Sequence, residues 1–361
     1  MRNMLRKCLW LVLTVFLCIT VSASQPFELH LLDVGQGQSV LIVADNHYML
    51  IDGGGRDSSS FVVSYLKQLG LDYLDYIAVS HYDEDHMSGL IGVMSVFETE
   101  GILVPPYAGE GELYESFAAA AVSNGGMIFH PECGWSFQLG DAVVEVIGPQ
   151  SKDYDNDNEE SLVFRITYGD TSCLITGDAE QHSEIDMINS GYDLSADIYV
   201  AGHHGSSTSS TDIFLDTVAP SYGLISCGKG NSYGHPAMET MQRFQQRGIT
   251  MFRTDLQGTV IAYSDGYIIW FNVDSCNDWT PGSNMETDIT TRTFPVSEEP
   301  VTQSGDYNQE ISYVCNTNSK KFHRPECPSV NDIKPENRMD TQMNREDLIA
   351  QGYQPCKRCN P

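Results

Sequence analysis

The sequence predicts an α/β fold whose chemistry lies at one edge of its sheets. Apolar runs of strand length alternate with helical patterns over residues 25–273. Five of the predicted strands end in turns that carry His or Asp side chains, and packed parallel or mixed sheets bring such ends to one edge. The chain has 361 residues, which is enough for one large domain and a small appendage. We therefore expect these strand ends to form a single metal-binding site.

The strands and helices of the large domain follow from the apolar pattern in order. The first three strands are expected to be joined by turns as an antiparallel meander, at 27–32, 39–43 and 47–51. Later strands are expected at 74–79, 162–168, 172–176, 196–201 and 222–227, with two closing strands at 259–263 and 267–271. Helices are expected at 58–69, from 87 to 94, and at 114–122, 179–189 and 237–246.

The charge of the chain is strongly negative and unevenly distributed. The formal net charge is −29, and residues 25–310 hold nine basic and 43 acidic residues. Residues 311–361 hold eight basic and six acidic residues. An acidic surface keeps a protein soluble but is unsuited to broad electrostatic capture of nucleic acid. Bound metal ions would reverse the field locally, so a nucleic-acid substrate is disfavoured rather than excluded.

Residues 1–24 are predicted to be a secretory signal peptide. The basic stretch 1–7 precedes an uncharged apolar run over 8–21, and small residues follow at Ser22 and Ala23. The run is short for a membrane-spanning helix, which leaves an uncleaved anchor as the minor alternative. We expect a secreted, extracellular protein, free or associated with the cell surface, without stable membrane embedding after cleavage. The sequence does not predict its oligomeric state.

The densest group of candidate metal ligands follows the predicted strand at 74–79. His81, Asp83, Asp85 and His86 form the pattern H-x-D-x-D-H. Imidazole and carboxylate ligands at this density suit one or two divalent ions. The alternative is an acidic turn without a ligand, which four ligands within six residues make weak.

Later strand ends extend this group. Asp178 follows the strand at 172–176, and His203 and His204 follow the strand at 196–201. His235 comes after the next strand. It would protonate a leaving oxygen or donate a hydrogen bond to a phosphate, or else be a loop histidine without chemistry.

Two further residues have an open assignment. Asp52, at the end of the third strand, is either a supporting residue of the site or a helix or turn cap. Ser206 either donates a hydrogen bond to phosphate or caps the helix that follows.

In their order, these motifs resemble the metallo-β-lactamase superfamily. The motifs are D-G-G at 52–54, S-H-x-D-x-D-H-x-x-G at 80–89, T-G-D at 176–178 and H-H-G-S at 203–206. With L-x-D-V-G-Q-G-Q-S at 31–39 and N-S-Y-G-H-P at 231–236, they are similar to the extracytoplasmic hydrolase domain of ComEC-type competence proteins. The resemblance covers residues 27–273. It implies a four-layer αββα sandwich with a dinuclear centre at the edge of its two sheets.

The resemblance also implies a set of ligands for two divalent ions, zinc or manganese. These ligands are His81, Asp83, Asp85, His86, Asp178, which would bridge the ions, and one of His203 and His204, preferably His204. Asp83 stands where the superfamily generally has His, and an extra carboxylate favours harder ions such as manganese or magnesium. Asn158 is the expected substitute for the histidine that the superfamily places before the Asp178 strand. Asp85, His235 and Asn158 are the expected catalytic residues.

The function that the resemblance implies is hydrolysis of phosphodiesters, with DNA as the expected substrate of a nuclease that uses a hydroxide activated by the metals. Two alternatives stay open. One is hydrolysis of a small substrate such as a lactam, a thioester or a phosphate ester. The other is a non-enzymatic surface protein that binds DNA.

The C-terminal part is predicted to be a flexible linker over 274–310 followed by a small module over 311–361. The linker is rich in Ser, Thr, Pro and acidic residues. A module of this size needs a staple, because its core alone is too small. His323, Cys327, Cys356 and Cys359 have structural-zinc spacing.

The alternative for this module is a pair of disulfides that includes Cys315, as is common outside the cell. The segment resembles the Ada-type metal-binding modules attached to secreted nucleases. We therefore expect one structural zinc ion there. The basic excess of the segment suits contact with nucleic acid, and the alternative is a module that serves folding alone.

Overall fold

The computed structural model describes residues 26–152, 154–282, 313–325, 327–330, 333–341, 343, 348–349 and 351–356. The predicted signal peptide, most of the predicted linker and Cys359 lie outside the described residues. The chain divides into two compact units, Met1–Asp288 and Ile289–Pro361.

Fifteen strands are described in the large unit. The first six are β1 Phe27–Leu31, β2 Val40–Ala44, β3 His47–Ile51, β4 Tyr73–Ala78, β5 Glu98–Leu103 and β6 Met127–Phe129. The next seven are β7 Ser136–Leu139, β8 Ala142–Gly148, β9 Val163–Tyr168, β10 Thr171–Ile175, β11 Ile198–Val200, β12 Tyr222–Ile225 and β13 Thr250–Arg253. The closing pair is β14 Val260–Ser264 and β15 Ile269–Phe271.

These strands form two mixed sheets. One has the order β15-β14-β1-β2-β3-β4-β5-β6, and the other has the order β13-β12-β11-β10-β9-β8-β7. The expected meander is confirmed, since β2 pairs antiparallel with both β1 and β3. The strands that precede the candidate ligands run parallel, β3 beside β4 in one sheet and β10, β11 and β12 in the other. Their carboxyl ends therefore lie at a common edge of each sheet.

The helices described in this unit cover the outer faces of the two sheets. They are α1 Ser59–Gln68, α2 Glu84–Met94, α3 Gly111–Asn124, α4 Gln181–Ser190, α5 Asp212–Val218, α6 Met238–Gln246 and α7 Thr254–Gln257. Val62 of α1 and Leu90 of α2 pack on the first sheet, whereas Met187 of α4 and Phe244 of α6 pack on the second. The alternate side chains of the strands point between the sheets, as the two-residue period of a strand requires.

The largest core lies between the two sheets. Leu29 and Ile42 of the first sheet meet Val144, Phe164 and Ile175 of the second, and all five are fully buried. Each such side chain contributes roughly 1.5–3 kcal/mol on burial. The expected four-layer αββα sandwich is therefore confirmed, with a large apolar core between its two sheets.

The helix after β4 begins earlier than the sequence predicts. We expect it from Met87, but α2 begins at Glu84, after an extended Asp83. The carbonyl of Asp83 accepts hydrogen bonds from the amides of His86 and Met87, at 3.1 and 3.0 Å. Acidic residues in a first helical turn are favoured by the helix dipole, which explains the earlier start. Asp85 and His86 thus lie in the first turn of a helix and not in the loop before it.

Two glycines let the loop after β3 lie directly against the first turns of α2. The amide of Gly53 donates to the carbonyl of His86 at 2.8 Å, and the amide of Gly89 donates to the carbonyl of Gly54 at 2.9 Å. A Cβ atom on Gly89 would overlap the carbonyl oxygen of Gly53. The D-G-G loop and the ligand-bearing helix are therefore joined backbone to backbone.

The packed part of the large unit continues beyond the boundary expected at 273. Cys276 is buried in the core under α6, and its amide donates to the carbonyl of Met251 at 2.8 Å. The guanidinium of Arg253 donates to the carbonyl of Thr280. The first part of the segment expected to be a linker therefore packs against the large unit.

The C-terminal unit contains a small sheet of four described strands. They are β16 Tyr313–Asn316, β17 Lys321–His323, β18 Arg338–Thr341 and β19 Gln354–Pro355, in the order β18-β16-β17-β19. Its apolar residues form two small clusters, one around Phe322 and one around Val314. Among the helices that the structure describes in either unit, none is long and apolar enough to cross a bilayer.

Candidate metal centre

Five strand ends bring their His and Asp side chains together, as the sequence predicts. Asp52 follows β3, and the His81–His86 segment follows β4 in the first sheet. Asp178 follows β10, the His203–His204 pair follows β11, and His235 lies in the segment after β12 in the second sheet. The site is therefore assembled from both sheets.

Asp178 lies at the middle of this group. Its Oδ1 is 3.1 Å from Nε2 of His86, and its Oδ2 is 3.5 Å from Nε2 of His204. The same Oδ2 is 3.9 Å from Nε2 of His81 and 3.8 Å from Nε2 of His203. One carboxylate thus faces four imidazoles, as a residue that bridges two cations would do.

The ligand atoms form two overlapping groups in which all atoms lie within 4.8 Å of one another. One group is His81, His86 and Asp178, and the other is Asp85, His86 and His204. Asp85 reaches the second group through Oδ2, which is 3.3 Å from Nε2 of His204. The overlap makes a pair of adjacent cation sites possible.

The imidazole nitrogens indicate that a cation belongs here. Nδ1 of His86 lies 2.8 Å from the Asp52 carboxylate, and Nδ1 of His204 lies 3.0 Å from the carbonyl of Ser226. Both Nδ1 atoms face acceptors and act as donors, so Nε2 is the atom that each ring offers to a cation. These two Nε2 atoms are only 3.2 Å apart. One metal ion bound by both rings would fit this distance.

Unpartnered atoms and the local charge support the same conclusion. Among the described residues, Nε2 of His81 and Oδ1 of Asp178 are buried without a hydrogen-bond partner. Burial opposes ionisation of Asp178, but His86 and His204 hold its pKa well below the usual value. Burial likewise opposes the charge on His86, but Asp178 and Asp52 raise its pKa well above the usual value. The residues present therefore fit divalent metal ions.

Asp52 makes side-chain contacts with the ligand-bearing segment that follows β4. It is fully buried with φ of 61°, and it accepts hydrogen bonds from the amide and hydroxyl of Ser80 at 2.7 and 2.8 Å. Gln38 donates a further bond at 2.9 Å. Its remaining contact, with Nδ1 of His86, directs Nε2 of that ring towards the metal group.

His203 and His204 point in different directions although they are adjacent. Both have positive φ, 49° and 55°, in a short 3-10 turn after β11. His204 belongs to the ligand group, as preferred from the resemblance. Nδ1 of His203 instead lies 2.9 Å from the Glu180 carboxylate, and its ring is partly exposed at the edge of the site. The geometry thus favours His204 as ligand and leaves His203 as its neighbour.

Asp83 is the most exposed of the candidate ligands. Its side chain is 53% exposed, and its Oδ2 lies 3.7 Å from Nε2 of His81. The hydrogen bond with His81 is the main cause of the lowered pKa of Asp83. The carboxylate is therefore ionised at neutral pH, and it lies between solvent and the group formed by His81, His86 and Asp178.

His235 lies beside the group without belonging to it. Its ring centroid is 5.3 Å from that of His203 and 6.2 Å from that of His204. Burial, and then the nearby His203 and His204, lower the pKa of His235 to about 4. Among the described atoms, its Nδ1 is buried without a hydrogen-bond partner. A neutral imidazole at this place donates a hydrogen bond more readily than it delivers a proton.

Asn158 and Ser206 make local contacts. The described hydrogen bond of Asn158 is accepted by its carbonyl from the amide of Ser161, and the Ser206 hydroxyl is bonded to Thr208 within the same turn. The residue of the 155–161 segment that reaches the group is Ser161 instead. Its hydroxyl is 3.4 Å from Nδ1 of His81 and accepts from the amide of Asp178 at 3.1 Å. A catalytic role of Asn158 and a phosphate contact of Ser206 stay predictions.

Sequence reasoning assigned no role to three residues that hold the ligands in place. These are Gln38, Ser80 and Ser161. The first two belong to the motifs at 31–39 and 80–89, and their place in these motifs is the feature of the sequence that could have identified them. Their partners, Asp52 and Asp178, come from other strands, so no spacing in the sequence shows the contacts.

The C-terminal unit contains a separate group of candidate ligands. His323, Cys327 and Cys356 are buried, with their ligand atoms within 4.8 Å of one another. The parallel pairing of β17 with β19 brings His323 beside Cys356. Among the described atoms, Nδ1 of His323 has no hydrogen-bond partner. Cys315 packs in the other apolar cluster, with Phe322, and so is not a member of the ligand group.

Comparisons with known proteins agree with this architecture. The family model described as the metallo-beta-lactamase superfamily matches residues 32–229. Competence protein ComA of Neisseria gonorrhoeae is 34% identical over 230 residues, 63% of this chain and 31% of that protein. ComE operon protein 3 of Bacillus subtilis is 29% identical over 251 residues, 64% of this chain and 32% of that protein.

A solved structure of the metallo-beta-lactamase fold protein YhfI from Bacillus subtilis is 14% identical, with a TM-score of 0.45, over 68% of this chain and 99% of that one. The chain spans about a third of the length of the curated relatives named above. The family model matches more than half of the chain, over the region that holds four of the five ligand-bearing strand ends. The chain therefore belongs to the metallo-beta-lactamase superfamily of metal-dependent hydrolases.

Proposed function

We propose that this protein is a secreted phosphodiesterase that cleaves DNA. The observation that carries the proposal is a neutral histidine, His235, beside a group of ionised carboxylates and imidazoles that fits two cations. Cations in such a centre attract phosphate, and a neutral hydrogen-bond donor next to them suits an anionic oxygen.

The two ligand groups would each hold one divalent ion. The Nε2 atom of His86 lies in both groups but can bind only one ion. His81 and Asp178, with Asp83 beside them, would therefore serve one ion, and Asp85, His86 and His204 would serve the other, with Asp178 shared. Bound ions of this kind lower the pKa of coordinated water and neutralise phosphoryl oxygens. Carboxylates at Asp83 and Asp85 make manganese a suitable occupant beside zinc.

The surrounding residues position this chemistry. Asp52 and the Ser226 carbonyl hold the tautomers of His86 and His204, so both rings keep Nε2 free for a cation. His235 donates a hydrogen bond to a phosphate oxygen or to the leaving oxygen. With its pKa of about 4, it is uncharged at neutral pH and does not act as a proton donor there.

The relatives named for competence favour DNA as the polymer. The acidic composition argues for a small substrate, because the chain has a net charge of −29. Two bound cations would reverse the field where phosphate binds, which would remove much of this objection.

The C-terminal unit is proposed to be an Ada-like module that holds one structural zinc ion. His323, Cys327 and Cys356 would supply three ligands, and Cys359, in C-x-x-C spacing with Cys356, would supply the fourth. Export is proposed from the pattern of residues 1–24, and N-terminal sequencing of protein recovered from the medium would test it.

The activity is tested with the full-length protein supplied with Mn²⁺ or Zn²⁺. Substrates are single-stranded DNA, plasmid, RNA, bis-p-nitrophenyl phosphate and the lactam nitrocefin. We expect metal-dependent cleavage of DNA and of the phosphodiester, and loss of both in His81→Ala and Asp83→Ala variants that bind less metal. His47→Ala is the matched control, since His47 begins β3 and Asp52 follows the opposite end of that strand. Cleavage of nitrocefin alone, or unchanged rates in the two variants, would contradict the proposal.

A further inference from the structure

We propose that Tyr233 is the platform on which an unpaired nucleobase next to the scissile phosphate stacks. This inference rests on the proposed phosphodiesterase function and narrows its substrate to single-stranded ends or loops. A base that is paired and stacked within a duplex has no free face for such a contact.

Tyr233 extends a column of rings that begins at the metal group. The ring of His204, whose Nε2 belongs to the ligand group, is 6.2 Å from the ring of His235, with an angle of 29° between their planes. The ring of His235 is in turn 5.7 Å from that of Tyr233, at an angle of 23°. An aromatic face is therefore presented two rings away from a metal ligand.

The outer face of Tyr233 is open to solvent. Tyr233 is 70% exposed, although its neighbour His235 is buried. Exposure alone does not assign a binding role to Tyr233, because Tyr267, at the turn between β14 and β15, is 77% exposed. That turn contacts the β9–β10 turn, where the amide of Asp170 donates to the carbonyl of Gly266. Asp178 follows the opposite end of β10, so of these two exposed tyrosines it is Tyr233 that lies beside the site.

The loop that carries Tyr233 is held in place. The Asn231 side-chain oxygen accepts from the amides of Tyr233 and His235, at 3.1 and 3.0 Å. Its amide group donates to the carbonyls of Gly228 and His235. A ring on a backbone ordered in this way stacks with little loss of conformational entropy on binding.

Stacking also suits the charge of this protein. Aromatic rings bind every base through its π-face and require no positive surface. An acidic chain with few basic residues in its large unit can therefore gain affinity for a nucleic acid where electrostatic attraction is weak. The cations would hold the phosphate, and Tyr233 would hold the adjoining base.

The test measures binding of fluorescein-labelled octanucleotides by anisotropy with the full-length protein in Mn²⁺. One probe is a thymidine octamer with phosphorothioate linkages, and the second replaces each base by an abasic tetrahydrofuran unit. Tyr233→Ala is expected to weaken binding of the thymidine octamer about ten- to hundredfold. Binding of the abasic octamer is expected to change by less than about twofold, as are both affinities in Tyr233→Phe and in the control Tyr267→Ala.

The outcomes separate this inference from the proposed function. Equal binding by Tyr233→Ala and wild type, an equal loss with the abasic octamer, or no binding of either octamer overturns the inference. Metal-dependent DNA cleavage that continues alongside any of these results leaves the proposed function in place. A base-dependent loss in Tyr233→Ala without cleavage of any DNA supports the stacking and contradicts the proposed hydrolysis.

Discussion

The two groups of candidate metal ligands differ in how much of the chain builds them. The hydrolase centre draws Asp178 and His204 from one sheet and the His81–His86 segment from the other. The C-terminal group takes His323 from the end of β17 and Cys356 from the position directly after the neighbouring strand β19. The first group rests on a large apolar core, whereas the second lies beside a cluster of a few residues.

From this difference we infer what a bound metal would contribute in each unit. A core between two sheets supports the first site, so the fold would position the ligands and the ion would add chemistry. A small unit gains much of its folding free energy from a structural ion. Metal loss is therefore expected to remove activity from the large unit and structure from the small one.

The largest effect is expected from Asp178→Ala. This change removes the carboxylate that faces both of the overlapping groups of ligand atoms in the large unit. We expect hydrolysis to fall by about a thousandfold or more, because both cations lose a shared ligand. Metal content of the large unit and the rate with bis-p-nitrophenyl phosphate measure this. Retained metal with a wild-type rate would contradict the assignment of Asp178 as a shared ligand, and His47→Ala again serves as control.

Cys327→Ser, or treatment with a zinc chelator, tests the smaller unit. Loss of one thiolate ligand is expected to remove the zinc and, with it, the protection of amides in β16 and β17 against hydrogen exchange. The amides of β1 and β10 in the large unit should keep their protection. Cys133→Ser, at a thiol of the large unit outside both groups, is the control. Unchanged protection in β16 would show that the small unit holds itself together.

A substitution of Glu184 tests how the fold holds the loop that carries His203 and His204. Its carboxyl group accepts hydrogen bonds from the amides of Ser210 and Thr211, and burial raises its pKa to about 7. The folded chain therefore binds this proton more tightly than the unfolded chain does. The resulting stability is present below about pH 4.5 and is lost as the pH rises through 7.

Glu184→Gln copies the protonated form and removes this dependence. Between pH 5 and pH 8 the free energy of unfolding of the wild type is expected to fall by about 2.5 kcal/mol relative to the variant. Denaturant unfolding at several pH values measures the difference. Parallel profiles of the two proteins would contradict the raised pKa.

The smallest effect is expected from Asp52→Asn, which keeps the shape of a supporting residue but removes its charge. Metal affinity or activity should fall about ten- to hundredfold, since Asp52 fixes the ring of His86 without being a ligand itself. The exchange protection of the C-terminal unit should not change. An effect as large as that of Asp178→Ala would instead place Asp52 among the ligands.

The sequence predicted the layers and the edge of the site because both depend on regular signals. Apolar runs marked the strands, and strand ends marked Asp52 and Asp178. The expected start of α2 was wrong because acidic residues are common both in turns after strands and in the first turns of helices. Asp85 is therefore expected in a turn, although it lies in the helix. The choice between His203 and His204 depended on two residues with positive φ, which no periodic pattern predicts.

The contacts of Gln38, Ser80 and Ser161 were beyond prediction for a different reason. Each joins segments that are distant in sequence or acts through a hydroxyl or amide that many loops contain. The C-terminal group of ligands was easier to predict from the sequence, because the spacing of Cys and His residues is a local signal.

The division of the hydrolase centre between two sheets has a consequence for synthesis of the chain. A ribosome releases residues in order, and His204 emerges more than a hundred residues after His86. The part of the chain up to β9 holds Asp52 and the His81–His86 segment, but neither Asp178 nor His204. A nascent chain therefore cannot complete its metal centre until most of the sandwich has left the ribosome. Its reactive chemistry is delayed until the fold that confines it is nearly complete.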